Sequence, residues 1–203
     1  MQAFWFCRED RKLDYKDGRS VRVGSTHKVK GALELCANGL HASVRLIDAL
    51  KYTPGPVLYL VEMGGDILTD ADKVCARERK YRASFNAEKL LRKFARKQAS
   101  IHIEKIKPYT NQYELIIQWL ETGDESIRSA AESAARSAAR SAAELAARSA
   151  ARYAAESAAR SATESAAWSA AWSAAWSAAE SAAESAANEM LTRMVREETG
   201  WDI

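Results

Sequence analysis

Apolar residues form short, separated blocks over the first 123 positions and then fall into a strict four-residue rhythm. Ala3–Arg8 (AFWFCR) reads as a strand, because aromatic residues suit a pleated, half-buried surface. A polar stretch with Gly18 and Gly24 follows, consistent with loops or a hairpin around Val21–Val23. Ala32–Cys36 reads as a further short strand, and Asn38-Gly39 as a turn. Ser43 is placed to cap a short helix through about Lys51, with Val44, Ile47 and Leu50 on one face and Pro54-Gly55-Pro56 as its stop. Val57–Met63 (VLYLVEM) is apolar on both faces, which predicts a central strand ended by Gly64-Gly65.

Helical spacing appears next. Asn86 to Gln98 is amphipathic, with Asn86 as cap and Phe85 and Leu90 as a hydrophobic staple. Ala87, Leu90, Leu91, Phe94 and Gln98 trace its inward stripe. Ile101–Ile106 alternates and predicts a closing strand. Asn111 and Glu114 have capping-box spacing before Tyr113, Ile116, Ile117 and Leu120, with Gly123 as the stop; this helix is expected to pack back on the head.

From Ser129 to Asn188 the chain is fifteen tetrads of the form S-A-A-x, interrupted only by Leu145, Tyr153 and Thr163. Alanine fills 29 of the 60 positions, and its helix propensity outweighs the modest cost of serine. Glu132/Arg136, Glu144/Arg148 and Glu156/Arg160 add pairs in the favourable i,i+4 orientation. A single rod over 124–199 would be about 110 Å long at 1.5 Å per residue; the alternative is a hairpin near Leu145–Tyr153 or Thr163. Four residues advance about 400°, so each column drifts about 40° per tetrad. That drift disfavours a heptad coiled coil and favours small-residue ridges crossing near −50° or wrapping right-handedly. Trp168, Trp172 and Trp176 fan over about 80° of one side. With Leu145 and Tyr153 they are the expected interface, either between copies of the chain or with a foreign partner, a membrane surface being the remaining option.

Charge then divides the chain. Residues 1–110 carry 22 Lys+Arg against 13 Asp+Glu, and residues 111–203 carry 8 against 14; the resulting +9 and −6 sum to +3. The predicted architecture is α+β: a basic head (1–110), a connecting helix (111–123), an Ala/Ser-rich helical region (124–199) and a short end (200–203). From Arg77 to Lys107 there are eleven basic residues and three acidic ones. Arg77, Arg79, Lys80, Arg82, Lys89, Arg92, Lys93, Arg96 and Lys97 are therefore the candidate contacts to nucleic acid or another polyanion. Contact with the acidic region or plain solvation is the competing reading.

Other chemistry is sparse. His41 and Ser43 lie close enough in sequence for a base and a nucleophile, but a turn residue and a helix cap explain them better. His27 and His102 are isolated, and no metal-ligand spacing appears. Asp66, Asp70 and Asp72 suggest calcium, yet the twelfth position of such a loop is Arg77 rather than Glu. No glycine-rich phosphate loop occurs. No cofactor is expected. The three cysteines, Cys7, Cys36 and Cys75, suit a reducing compartment. With neither a membrane-length apolar run nor a signal-peptide pattern, the expected location is the cytoplasm of a bacterial host cell.

Two resemblances extend this reading. Residues 1 to about 83 resemble a domain of unknown function found in phage and prophage proteins. The matching segments are the aromatic opening at Ala3–Phe6, Glu34-Leu-Cys-x-x-Gly-Leu-His-Ala42, Asp48-Ala-Leu with Tyr52, and Leu58-Tyr-x-Val-Glu-x-Gly-Gly65 with Lys73-x-Cys-Ala76. The resemblance implies a phage or prophage origin and no particular activity. Separately, Gly39-Leu-His-Ala-Ser43, the helix through Asp48–Tyr52 and the strand Leu58–Met63 are similar in order to the middle of the ADP-ribosyltransferase fold. That resemblance implies an NAD or nucleotide site using Arg8 and Ser43. The family's strand-borne Glu has no counterpart, since Gln112-Tyr113-Glu114 falls on a predicted helix. The expected function is a non-enzymatic phage interaction protein. Its head would bind a host or viral partner, with counter-defence as one setting, and its helical tail would assemble copies or set a spacing. The enzyme alternative is an ADP-ribosyltransferase-like head.

Overall fold

The computed structural model describes residues 1–13, 17–101, 103–158 and 165–203; side chains at 143, 146, 147, 149–158 and 165–180 lie outside the description. His102 and Thr163 fall outside the described residues. The chain divides into two compact units, Met1–Leu91 with Glu184–Ile203, and Arg92–Ala183.

The first unit is built on an antiparallel sheet of β1 (Gln2–Cys7), β2 (Thr26–Lys28), β3 (Leu40–Ala42), β4 (Val57–Thr69) and β5 (Val74–Asn86). β4 lies between β1 and β5, as its two-sided apolar pattern predicts. β2 and β3 both pair with β5, at Thr26–Lys28 against Lys80–Glu78 and at Leu40–Ala42 against Ala76–Val74. The sheet then closes. Phe4 donates its N–H to Ser43 O at 2.8 Å and accepts the Ser43 N–H at 2.9 Å, joining the end of β3 to the free edge of β1. Closure removes an exposed edge, which would otherwise invite strand addition.

Alternation along these strands sorts the side chains. Ala3, Cys7, Val57, Tyr59, Val61, Met63, Val74, Ala76 and Tyr81 form one core cluster with Leu40, Ala42, Leu13 and Val21. Phe4, Phe6 and Leu58 project to the opposite face and are also buried. Helix α1 (Leu46–Lys51) buries Leu46 and Ala49.

Several local expectations are corrected. β4 does not end at Gly64-Gly65. It continues to Thr69 through a bulge, with Gly65 at φ +69 supplying the left-handed residue that such a bulge requires. β5 covers the first part of the stretch read as a basic surface; its charges hide a strand alternation in which Arg79 and Tyr81 are buried while Lys80 and Arg82 are exposed. Ala32–Cys36 is not a strand but leads into a tight turn closed by the Glu34–Asn38 bridge. Ser43 does not cap α1, because its backbone is committed to Phe4; the capping position is Arg45, without a side-chain cap.

Helix α2 (Glu88–Ser100) follows, and Asn86 Oδ1 accepts the Glu88 N–H at 2.9 Å as its cap. Ala87, Leu90 and Phe94 are buried, which is the predicted stripe.

In the second unit the expected strand Ile101–Ile106 is replaced by a 3-10 helix, Ile103–Tyr109. Ile103 and Ile106, three apart and so on one side of such a turn, both pack against the Ile116–Leu120 cluster. Helix α3 (Tyr113–Thr122) starts at Gln112 rather than through an Asn111–Glu114 box and ends at Gly123 with φ +68. α3 packs on the 3-10 helix and on α4 (Glu125–Ala158), through Ile116, Leu120, Ile103, Ile106, Trp119 and Ala134. Ala131, Ala134 and Ala138 are the buried stripe of α4, small enough to let the helices approach closely. α4 runs unbroken through Leu145–Tyr153, so no hairpin interrupts it there. α5 (Ser165–Thr199) carries the rest of the repeat, and its last turns belong to the first unit.

Candidate functional site

The most unusual group in the first unit is Arg79, which is only 2% exposed. Its position on β5 aims it into the core face of the closed sheet, opposite Met63. The guanidinium carbon lies 3.9 Å from the Trp5 ring centroid and 5.2 Å from that of Tyr81. Nε donates to Tyr81 Oη at 3.1 Å, and Nη1 donates to the His41 carbonyl. Trp5, Tyr59 and Tyr81 form a triangle with centroid separations of 5.4–5.8 Å. His27 Nδ1 meets Tyr81 Oη at 2.9 Å. Burial draws the Arg79 pKa below the ordinary guanidinium value and pushes the Tyr81 phenol up. The cation is therefore stabilised by aromatic faces and neutral acceptors, as a buried guanidinium can be.

His41 links this centre to a strained turn. Its Nε2 accepts the Cys36 N–H at 3.1 Å, which assigns the neutral ring's proton to Nδ1. Burial, then the Arg79 and Lys73 charges, hold His41 below the usual imidazole value. Cys36 is exposed and stands at φ +66, a conformation that side-chain-bearing residues rarely take. The neighbouring Cys36 side chain is the first cause that raises the Lys73 pKa, and Lys73 Nζ lies 5.3 Å from the Tyr52 ring centroid. Tyr52 Oη donates to Asp72 at 2.8 Å. The segments Glu34–Ala42, Asp48–Tyr52 and Lys73–Ala76 thus converge on one corner of the head.

The sequence-predicted residues are scattered by comparison. Ser43 is buried opposite Phe4, while exposed Arg8 lies just beyond β1, about 13 Å further along the strand direction. The structure does not bring the two together. Arg77 is half-buried and pairs with Asp66 at 3.0 Å. Lys80 and Arg82 are exposed, and Arg82 pairs with Glu62 at 3.4 Å. On α2, Lys89, Lys93 and Lys97 are exposed, Arg92 contacts Glu125 at 3.5 Å, and the Arg96 guanidinium packs over Gly123. Leu145 is 48% exposed. Tyr153 lies on α4 and Trp168, Trp172 and Trp176 on α5, with side chains outside the description. Trp5, Tyr59, Tyr81, His27, Lys73 and Cys36 were not among the candidate site residues, although Trp5, Cys36, Tyr59 and Lys73 lie in the segments that carry the first resemblance.

Among the described residues no group of three or more His, Cys, Asp or Glu is placed to hold a metal, and no helix is long and apolar enough to cross a membrane. Comparison with protein families matches residues 1–93 to a domain of unknown function, DUF7666. No curated protein and no solved structure matches the chain. The matched stretch contains β1 to β5, the Arg79 centre and the Cys36 turn, and it stops short of the repeat.

Proposed function

We propose that the chain is a non-enzymatic, phage-type interaction and assembly protein. The head recognises a host or viral partner in the bacterial cytoplasm, with counter-defence as the setting, and the repeat helices associate copies of the chain. One observation carries the assembly part. α4 continues well past Ala138, the last buried residue described on it, and presents Leu145 at 48% exposure among small side chains. A leucine substituted for serine in an otherwise polar-and-small surface adds apolar area where a partner would cover it. The enclosed Arg79 centre supports the same reading of the head. Its polar groups hold the sheet and the Cys36 turn together, leaving recognition to the outer surface.

The test is light-scattering mass over a concentration series, on the full chain and on the variant Leu145→Ser combined with Trp168→Ala, Trp172→Ala and Trp176→Ala. The expected result is a multiple of the 22.4 kDa chain mass for the parent and the mass of a single chain for the variant. A parent monomeric at every concentration removes the assembly function. The full chain is needed, because residues 184–203 belong to the head's own unit.

Polyanion binding is the second reading, and it rests on Lys93 and Lys97, one turn apart on α2, exposed and free of ion pairs among the described residues. It predicts retention on heparin that weakens steeply with salt. Retention unchanged by Lys93→Gln with Lys97→Gln would discard it.

A further inference from the structure

The end of the repeat is fastened to the head by contacts that no local sequence signal explains. The capping residue of α1, Arg45, makes no side-chain capping hydrogen bond. Asn188 Oδ1 accepts the Ile47 N–H at 3.1 Å instead. Ile47 is the second helical residue, whose amide is one that a capping side chain ordinarily serves. Four residues earlier on α5, Glu184 takes Lys51 Nζ at 2.8 Å, and the same ammonium holds the buried Asp48 at 3.0 Å. Glu184 and Asn188 are the variable residues of the last two tetrads. Beyond them Leu191 and Val195 are buried at 0% and 1%, Trp201 meets Phe85 edge-on at 5.8 Å, and Gln2 donates to the Asp202 carbonyl.

We propose that Glu184–Ile203 is a latch that couples the repeat to the head, with Asn188 and Glu184 setting the order of α1. The apolar residues Leu191 and Val195 supply most of the docking energy, as burial of such side chains does. The two polar contacts, by contrast, sit at the junction where the repeat enters the head's unit, and both act on a helix of six residues. A helix that short does not hold itself together in water. Anything that draws the last tetrads into another contact removes the cap and the Lys51 partner at once. α1 and the Tyr52–Asp72 corner that follows it then loosen, while β4 and β5 stay paired. This inference is independent of whether the repeat assembles copies of the chain.

Amide hydrogen exchange on the full chain tests it. Asn188→Ala should speed exchange in Ile47–Leu50 about fivefold, with β4 and β5 unchanged. Asn188→Asp, which keeps an acceptor, should restore the parent rate. Glu184→Gln should raise exchange in the same helix by a smaller factor, and it serves if Asn188→Ala folds poorly. Unchanged exchange in α1 overturns the latch. So does an equal rise in β4 and β5, which would make Asn188 a general stabiliser of the unit.

Discussion

The Arg79 guanidinium lies 3.9 Å from the Trp5 ring centroid and pairs with no carboxylate among the described residues. A buried ion normally needs a counter-ion or a metal. Here the planar group is divided between two aromatic faces, one phenol and one carbonyl, so shape matters as much as charge. Arg79→Ala removes the packing and leaves the His41 carbonyl without its donor, an expected loss of about 3 kcal/mol. Arg79→Lys keeps a charge but neither stacks nor forks, and is expected to lose about 2 kcal/mol. Urea unfolding of the head checks both. A lysine variant as stable as the parent would show that charge alone is needed.

Acid sensitivity follows from the two described histidines. Burial is the first cause that holds His41 and His27 below the ordinary value of 6.5. Between the folded and unfolded pKa values the unfolded chain binds more protons, so stability falls as pH falls. The loss begins near 6.5 and deepens until the folded-state value is passed, with full stability above that window. Urea midpoints between pH 5 and 8 should show it, and His41→Gln should remove part of the slope. A flat profile in the parent would refute the assignment. A second loss, at carboxylate pH, is expected where Glu184 protonates. The hydrogen bond from Lys51 is the first cause of its lowered pKa, and the exposed pair contributes little energy.

Periodicity revealed the parts of the fold in which one physical effect dominates. The two-sided apolar run of β4, the stripe of Ala87, Leu90 and Phe94 on α2 and the stop at Gly123 were all readable, because burial alone sets them. β5 was not, because Arg77, Arg79, Lys80 and Arg82 look like a solvated surface. Nothing local says that Arg79 will point inward onto Trp5, a residue distant in sequence. Asn188 shows the same limit. It completes a tetrad as any polar residue would, and its role appears only once α1 is found to lack a cap 141 residues away.

Gly39 tests the Cys36 turn. A Cβ added there would stand 2.0 Å from Cys75 Sγ, and the backbone is at φ +152. Cys75 is buried beneath the turn, with its thiol within 3.6 Å of the Asn38 carbonyl, so the sulfur has no open side to move into. Gly39→Ala should cost more than about 2 kcal/mol, through overlap and backbone strain together. The double variant with Cys75→Ala should recover the overlap part only. Full recovery would mean that the backbone is unstrained, and no recovery would mean that the sulfur is not the obstacle.

The match over residues 1–93 ends before the last pieces of the unit that contains it. Leu191 and Val195 are as buried as the strands themselves, so a chain cut to 1–93 exposes the surface they cover. Leu191→Ala alone should cost about 2–5 kcal/mol. Residues 1–93 in isolation are expected to be poorly folded, with weak amide protection in β4 and β5. Joining 1–91 to 184–203 through a flexible Gly/Ser linker of about 20 residues should restore protection, because the chain leaves the unit at Leu91 and re-enters it at Glu184. Protection in the short chain equal to that in the joined one would show that the C-terminal segment decorates the head rather than completing it. Protection in neither would place part of the head's stability in residues 92–183.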